Sequence, residues 1–133
     1  MRTINIKVSD MSFSVSEASA DAQLELMTLL SAQSSFVIAS SGVDIVDTGL
    51  VVGLLTRCDK TKIDHISRLV LDKIREEGKV EIPVDVKTFQ GKIMSYYLLL
   101  AEAIKFNLDD FFTYALNDAK AARAQGETNR TTA

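Results

Sequence analysis

From Met94 to Ala115 apolar residues recur at alternating steps of three and four: Met94, Tyr97, Ala101, Ile104, Leu108, Phe111 and Ala115. That spacing keeps one side of a helix apolar. A second seam of Ile93, Tyr96, Leu100 and Ala103 lies beside it. Two adjacent seams demand cover around most of the helix, so the remaining segments have to wrap this one. The pattern breaks at "FNLDDFF", where Asn107 is placed to cap a new helix and Asp110 falls in its first turn. That last helix reads "DDFFTYALNDAKAARA".

The aromatic doublet raises a question of direction. On a helix Phe111 and Phe112 point about 100° apart, so one core face does not easily take both. Phe111 continues the seam through Ile104 and Leu108 and is expected in the core. Phe112, with Tyr96, Tyr97 and Phe106, is then a candidate for an exposed rim that contacts a partner. The plainer alternative is a second layer, from Phe36 or Leu54, that covers Phe112 as well.

The other segments supply the wrapping. Ile4, Ile6 and Val8 alternate with polar residues and predict a strand over Thr3–Val8. Ser14 and Glu17 have capping-box spacing, and a helix is expected from about Glu17 to Gln33, burying Ala22, Leu26, Met27, Leu29 and Leu30. Gly42 and Asp44 mark a break after an ambiguous "SSFVIAS". "IVDTGLVVGLLTRC" reads as a short apolar helix. "KTKIDHISRLVLDKIREEGK" reads as an amphipathic one, with Thr61 and Asp64 at its start, Ile63, Ile66, Val70 and Ile74 as its stripe, and Gly78 as its stop. Beyond Gly78 the period becomes two, and Val80, Ile82, Val84 and Val86 predict an edge strand limited by Pro83. The expectation is a mainly α (α+β) domain over 1–124. Its small two-stranded antiparallel sheet pairs Thr3–Val8 with 79–84, and a disordered tail occupies 125–133.

The order of these elements, the Phe89–Gly91 lead-in "TFQGK", Tyr97 and Leu100 in "YYLLLAEAI", and Asn107, Phe111 and Phe112 in "FNLDDFF" together resemble the tail assembly chaperones of long-tailed bacteriophages. The resemblance is carried mainly by the last third of the chain. It implies an accessory protein that binds the tape measure protein and brings tail tube subunits to it, acting in the host cell cytoplasm. It also implies that a frameshifted longer form can exist, with "LNDAKAARAQGETNRTTA" as the place for the change of frame.

Chemistry is sparse. The chain has one cysteine, Cys58, and one histidine, His65, too few ligands for a closed zinc site. Cys58 and His65 are seven residues apart, but the polar "DKTK" between them looks like a helix boundary rather than part of a nucleophile pair. Asp109 with Asp110, and Glu76 with Glu77, are explained as helix-terminal residues. Neither catalytic residues nor a cofactor or metal is expected. A net charge of −3 gives no general pull towards nucleic acid or an anionic membrane. Arg57, Lys60, Lys62, Arg68, Lys73 and Arg75 form a basic run, but Asp59, Asp64 and Asp72 are interleaved and would repel phosphates. A small nucleic-acid-binding protein, or an inhibitor of a host defence protein, is the alternative class. No stretch approaches the roughly 18 uninterrupted apolar residues of a membrane span, and the N-terminus lacks the apolar run of a signal peptide. Self-association stays open.

Overall fold

A computed structural model describes residues 2–132, with side chains through Gly126. The chain begins as a hairpin of β1 (Thr3–Val8) and β2 (Met11–Ser16), in register from Thr3↔Ser16 to Val8↔Met11. The two-residue turn places Ser9 at φ 59°, the left-handed value that tight hairpin turns need at their first position. β3 (Ile74–Glu76) joins the other side of β2, so the sheet runs β1-β2-β3 and is antiparallel throughout. Five helices follow the hairpin in the described residues: α1 (Ala20–Ser41), α2 (Thr48–Thr56), α3 (Lys60–Val70), α4 (Ile93–Asn107) and α5 (Asp109–Thr132). The fold is mainly α with a small antiparallel sheet.

The pairing inside that sheet differs from the sequence expectation. Thr3–Val8 pairs with Met11–Ser16, not with 79–84. "MSFSVS" carries its own period of two, and a two-residue loop closes at little entropic cost, so the local partner wins. The expected strand at 79–84 is reduced to one bridge, Arg75↔Pro83. Val80 and Ile82, expected on a helix-covered face, are exposed, while Val84 is buried. The third strand comes instead from Ile74–Glu76, which the helical stripe had absorbed. The helix ends at Val70, a 3-10 turn spans Leu71–Lys73, and Ile74 enters the sheet opposite Val15.

Caps set the helix limits. Ser19, not Ser14, caps α1 by accepting from the Ala22 amide, and Gly42 ends it at φ 69°. Ser14 is inside β2, and Glu17 pairs with Arg2. Asp47 and Asp59 cap α2 and α3, the latter in place of Thr61. α1 therefore runs eight residues past the expected end at Gln33, because no breaker intervenes before Gly42.

α4 occupies the centre. It touches α2, α3, α5, β1 and the 3-10 turn at Val86–Phe89. Leu99, Leu100, Ala101, Ala103 and Ile104 are fully buried along it. Phe89 lies between the layers, its ring 5.9 Å from Phe13 of the sheet and 5.5 Å from Tyr96 of α4. Of the two seams, Tyr96, Leu100, Ala101, Ala103, Ile104 and Leu108 are buried, whereas Ile93 and Met94 in the first turn are exposed.

Asn107 does not cap the last helix. It is the final residue of α4 and is buried. Its Oδ1 accepts from the Ala18 amide at 2.9 Å and from Gln23 Nε2 at 3.1 Å, and its Nδ2 donates to the Ala103 carbonyl at 2.9 Å. One side chain thus ties the end of α4 to the strand-to-helix connection before α1. The tail expected to be disordered over 125–133 has its side chains from 127 onward outside the described residues.

Candidate functional site

Phe112 is buried and Phe111 only half-buried, the reverse of the expectation. The seam ran through Phe111 only on the assumption that the helix is continuous across Asn107. The break at Leu108 resets the helical phase, and Phe112, whose amide bonds the Leu108 carbonyl, turns inward instead. Its ring forms part of a shallow cleft of about 200 Å³ with Ile45, Val46, Asp109, Thr113 and Leu116. The elements packed against α5 are α1 and α4, and Phe36, one of the residues expected to supply cover, is 71% exposed.

Tyr96 is also buried, so it does not form a rim. Its hydroxyl lies 2.6 Å from Ser67 Oγ, which donates or accepts there while touching the Ile63 carbonyl. Burial pushes the Tyr96 phenol above its ordinary range, with the Ser67 bond opposing. Tyr97 and Phe106 are half-buried and keep part of their rings accessible. Arg2 stacks 4.8 Å above Phe106 and donates to its carbonyl.

Residues that the sequence did not mark as exposed complete the accessible surface. Ile93 and Met94, each 52% exposed, and Leu98, 39% exposed, stand on the outer face of α4. Met94 and Leu98 are one turn apart, a spacing that aligns them. Beside Leu98 runs a groove of about 430 Å³, walled by β1 from Ile4 to Ser9 and by Thr48, Leu98 and Glu102. Ile4 and Glu102 also line a neighbouring depression of about 210 Å³, with Arg2, Lys105, Phe106 and Asp109. The groove's middle is polar and ordered: the Thr48 hydroxyl bonds Glu102, and Lys105 Nζ donates to Thr48 Oγ1 at 3.2 Å. Exposure of Met94 was hidden in the sequence because it fits the first apolar seam, and Leu98 lies on neither seam.

Titratable groups do not converge. Among the described residues no three His, Cys, Asp or Glu side chains gather as a metal site would require. Cys58 donates to the Leu54 carbonyl and approaches Gln33, while His65 Nε2 lies 2.7 Å from Glu25, so the two do not meet. Burial pushes the Cys58 thiol up, away from the reactive thiolate. Two members of the basic run are engaged within the fold: Lys60 pairs with Asp64, and Arg75 donates to the carbonyls of Asp72, Ile74 and Val80. No helix of the described residues is long and apolar enough to cross a membrane.

The surface thus combines a partly apolar helix face, an open groove beside it and two half-buried aromatics. A family model described as phage tail assembly chaperone protein, TAC, matches residues 9–119, which spans the hairpin's second strand, all of α1 to α4 and the aromatic start of α5. Comparison with curated proteins and with solved structures gives no match. The chain belongs to the phage tail assembly chaperone protein family, TAC.

Proposed function

We propose that the protein binds the tape measure protein and tail tube subunits during tail assembly, in the host cell cytoplasm and without catalysis. The family match over residues 9–119 carries this reading. The family implies a non-catalytic role. The exposed Ile93, Met94 and Leu98 on α4 support it further, since apolar side chains on a helix that is otherwise the core leave surface to be covered by a client. Tyr97 and Phe106, half-buried on the same helix, add accessible aromatic surface.

Co-expression with the tape measure and tail tube proteins of the same phage, followed by affinity purification, tests the proposal. Both clients should co-purify, and replacing Met94 and Leu98 together by Glu should reduce capture without unfolding the chaperone. Capture through apolar surface should change little between low and physiological salt. Binding dominated by phosphate contacts would instead fall by about 10³–10⁵ over a comparable range. Failure of both clients to co-purify, or tight binding of duplex DNA at physiological salt, would refute the proposal.

A further inference from the structure

The two edges of the sheet are treated differently by the chain. At β3 the protein covers its own edge: Pro83 bridges Arg75, and Arg75 Nε donates to the Val80 carbonyl at 3.1 Å. Among the described residues nothing equivalent bonds to β1. The two-residue turn makes Val8 and Met11 a bonded pair, and the Glu17 amide bonds the Arg2 carbonyl at the other end of the hairpin. The even-numbered residues of β1 therefore bond to β2, and the N–H and C=O groups of Thr3, Asn5 and Lys7 point away from it. Among the described residues these backbone groups have no other hydrogen-bond partner. They face the groove walled by Thr48, Leu98 and Glu102, which extends along the strand from Ile4 to Ser9.

We propose that β1 is a strand acceptor: an extended segment of a client polypeptide enters this groove and adds to β1 as a fourth strand of the sheet. The proposal rests on the reading of tail proteins as clients and names how one of them is held. Free amides and carbonyls at strand spacing are matched by an extended backbone, whereas a helical segment has already used its own. The added strand's alternate side chains fall on two faces. One set meets Leu98 and takes apolar residues. The other emerges beside Asn5 and Lys7, both exposed. Lys7 has no ion-pair partner among the described residues, so an acidic side chain on that outer face completes the match. The occupant is thus an extended segment about as long as β1, alternating apolar and polar, with an acidic residue facing Lys7.

Overlapping twelve-residue peptides covering the tape measure and tail tube proteins, labelled for fluorescence anisotropy, provide the probe. The wild-type chaperone should bind a small set with this alternation. Asn5→Pro removes one outward N–H and no hairpin bond, so it should weaken those peptides at least about ten-fold, while Asn5→Ala should not. Lys7→Glu should weaken the acidic peptides several-fold and keeps the inference testable if the proline variant misfolds. Amide exchange at Asn5 and Lys7 should slow in the bound state. Absence of peptide binding by the wild type, equal binding by a folded Asn5→Pro variant, or unchanged exchange at both amides would overturn the inference. Co-purification of full-length clients that Asn5→Pro leaves intact would overturn it while leaving the chaperone role standing. Loss of co-purification by the wild type would count against that role itself.

Discussion

Replacing Asn107 by Ala cuts a junction that holds three segments together. Its Oδ1 serves the amide of Ala18, a residue 8% exposed, and the amide of Gln23, which is only partly buried. Losing the acceptor leaves the Ala18 N–H buried and unpaired, at a cost of about 1–3 kcal/mol. Gln23 can turn to water, so its lost bond costs about 0.5–1 kcal/mol. The Ala103 carbonyl keeps its ordinary helical partner and loses little. Against these, alanine recovers about 0.5 kcal/mol of helix propensity at the end of α4. The net expectation is a loss near 2 kcal/mol. Urea unfolding followed by far-ultraviolet circular dichroism would read this as a midpoint lowered by about 1–2 M at an unchanged slope. Gln23→Ala is the control and should cost no more than about 1 kcal/mol. A loss below about 0.5 kcal/mol for Asn107→Ala would refute the claim that this side chain joins α4 to the start of α1.

Phe112→Ala should destabilise by about 3–5 kcal/mol, and Phe111→Ala by roughly 1–2 kcal/mol. Thermal melts of the two variants check the order, and the reverse ranking would mean that the helical phase after Leu108 is misassigned. The Tyr96 phenol, raised by burial, makes folding depend on pH at the alkaline end. Below its ordinary value of 10.0 both folded and unfolded states keep the proton; above it the unfolded state loses the proton first, so stability falls as pH rises towards the raised folded value. Tyr96→Phe should flatten that decline in urea melts between about pH 9 and 11, and an unchanged slope would remove Tyr96 as its source.

Local pattern carried much of the architecture. The alternation in Thr3–Val8, the glycine at 42, the amphipathic stripe of Ile63, Ile66 and Val70, and the central apolar helix are all legible in the chain, because each is a property of neighbours a few residues apart. The family resemblance rested on the same kind of information, in the aromatic and glycine positions of the last third. Pairing was not legible. Met11–Ser16 and 79–84 both carry strand periodicity, and nothing within either segment says that the first wins the edge of β1 while the second is left with a single bridge at Pro83.

The candidate surface was even less legible. Phe111 and Phe112 differ by one position, and a break at Leu108 decides which of them turns inward. Ile93 and Met94 look like core residues in the sequence, yet both are exposed on the first turn of α4. Periodicity reports which residues share a face of a helix or strand, and the sequence by itself determined those faces. Whether a face is covered depends on segments distant along the chain, so only the tertiary structure decided which apolar residues, and which strand edge, remain exposed.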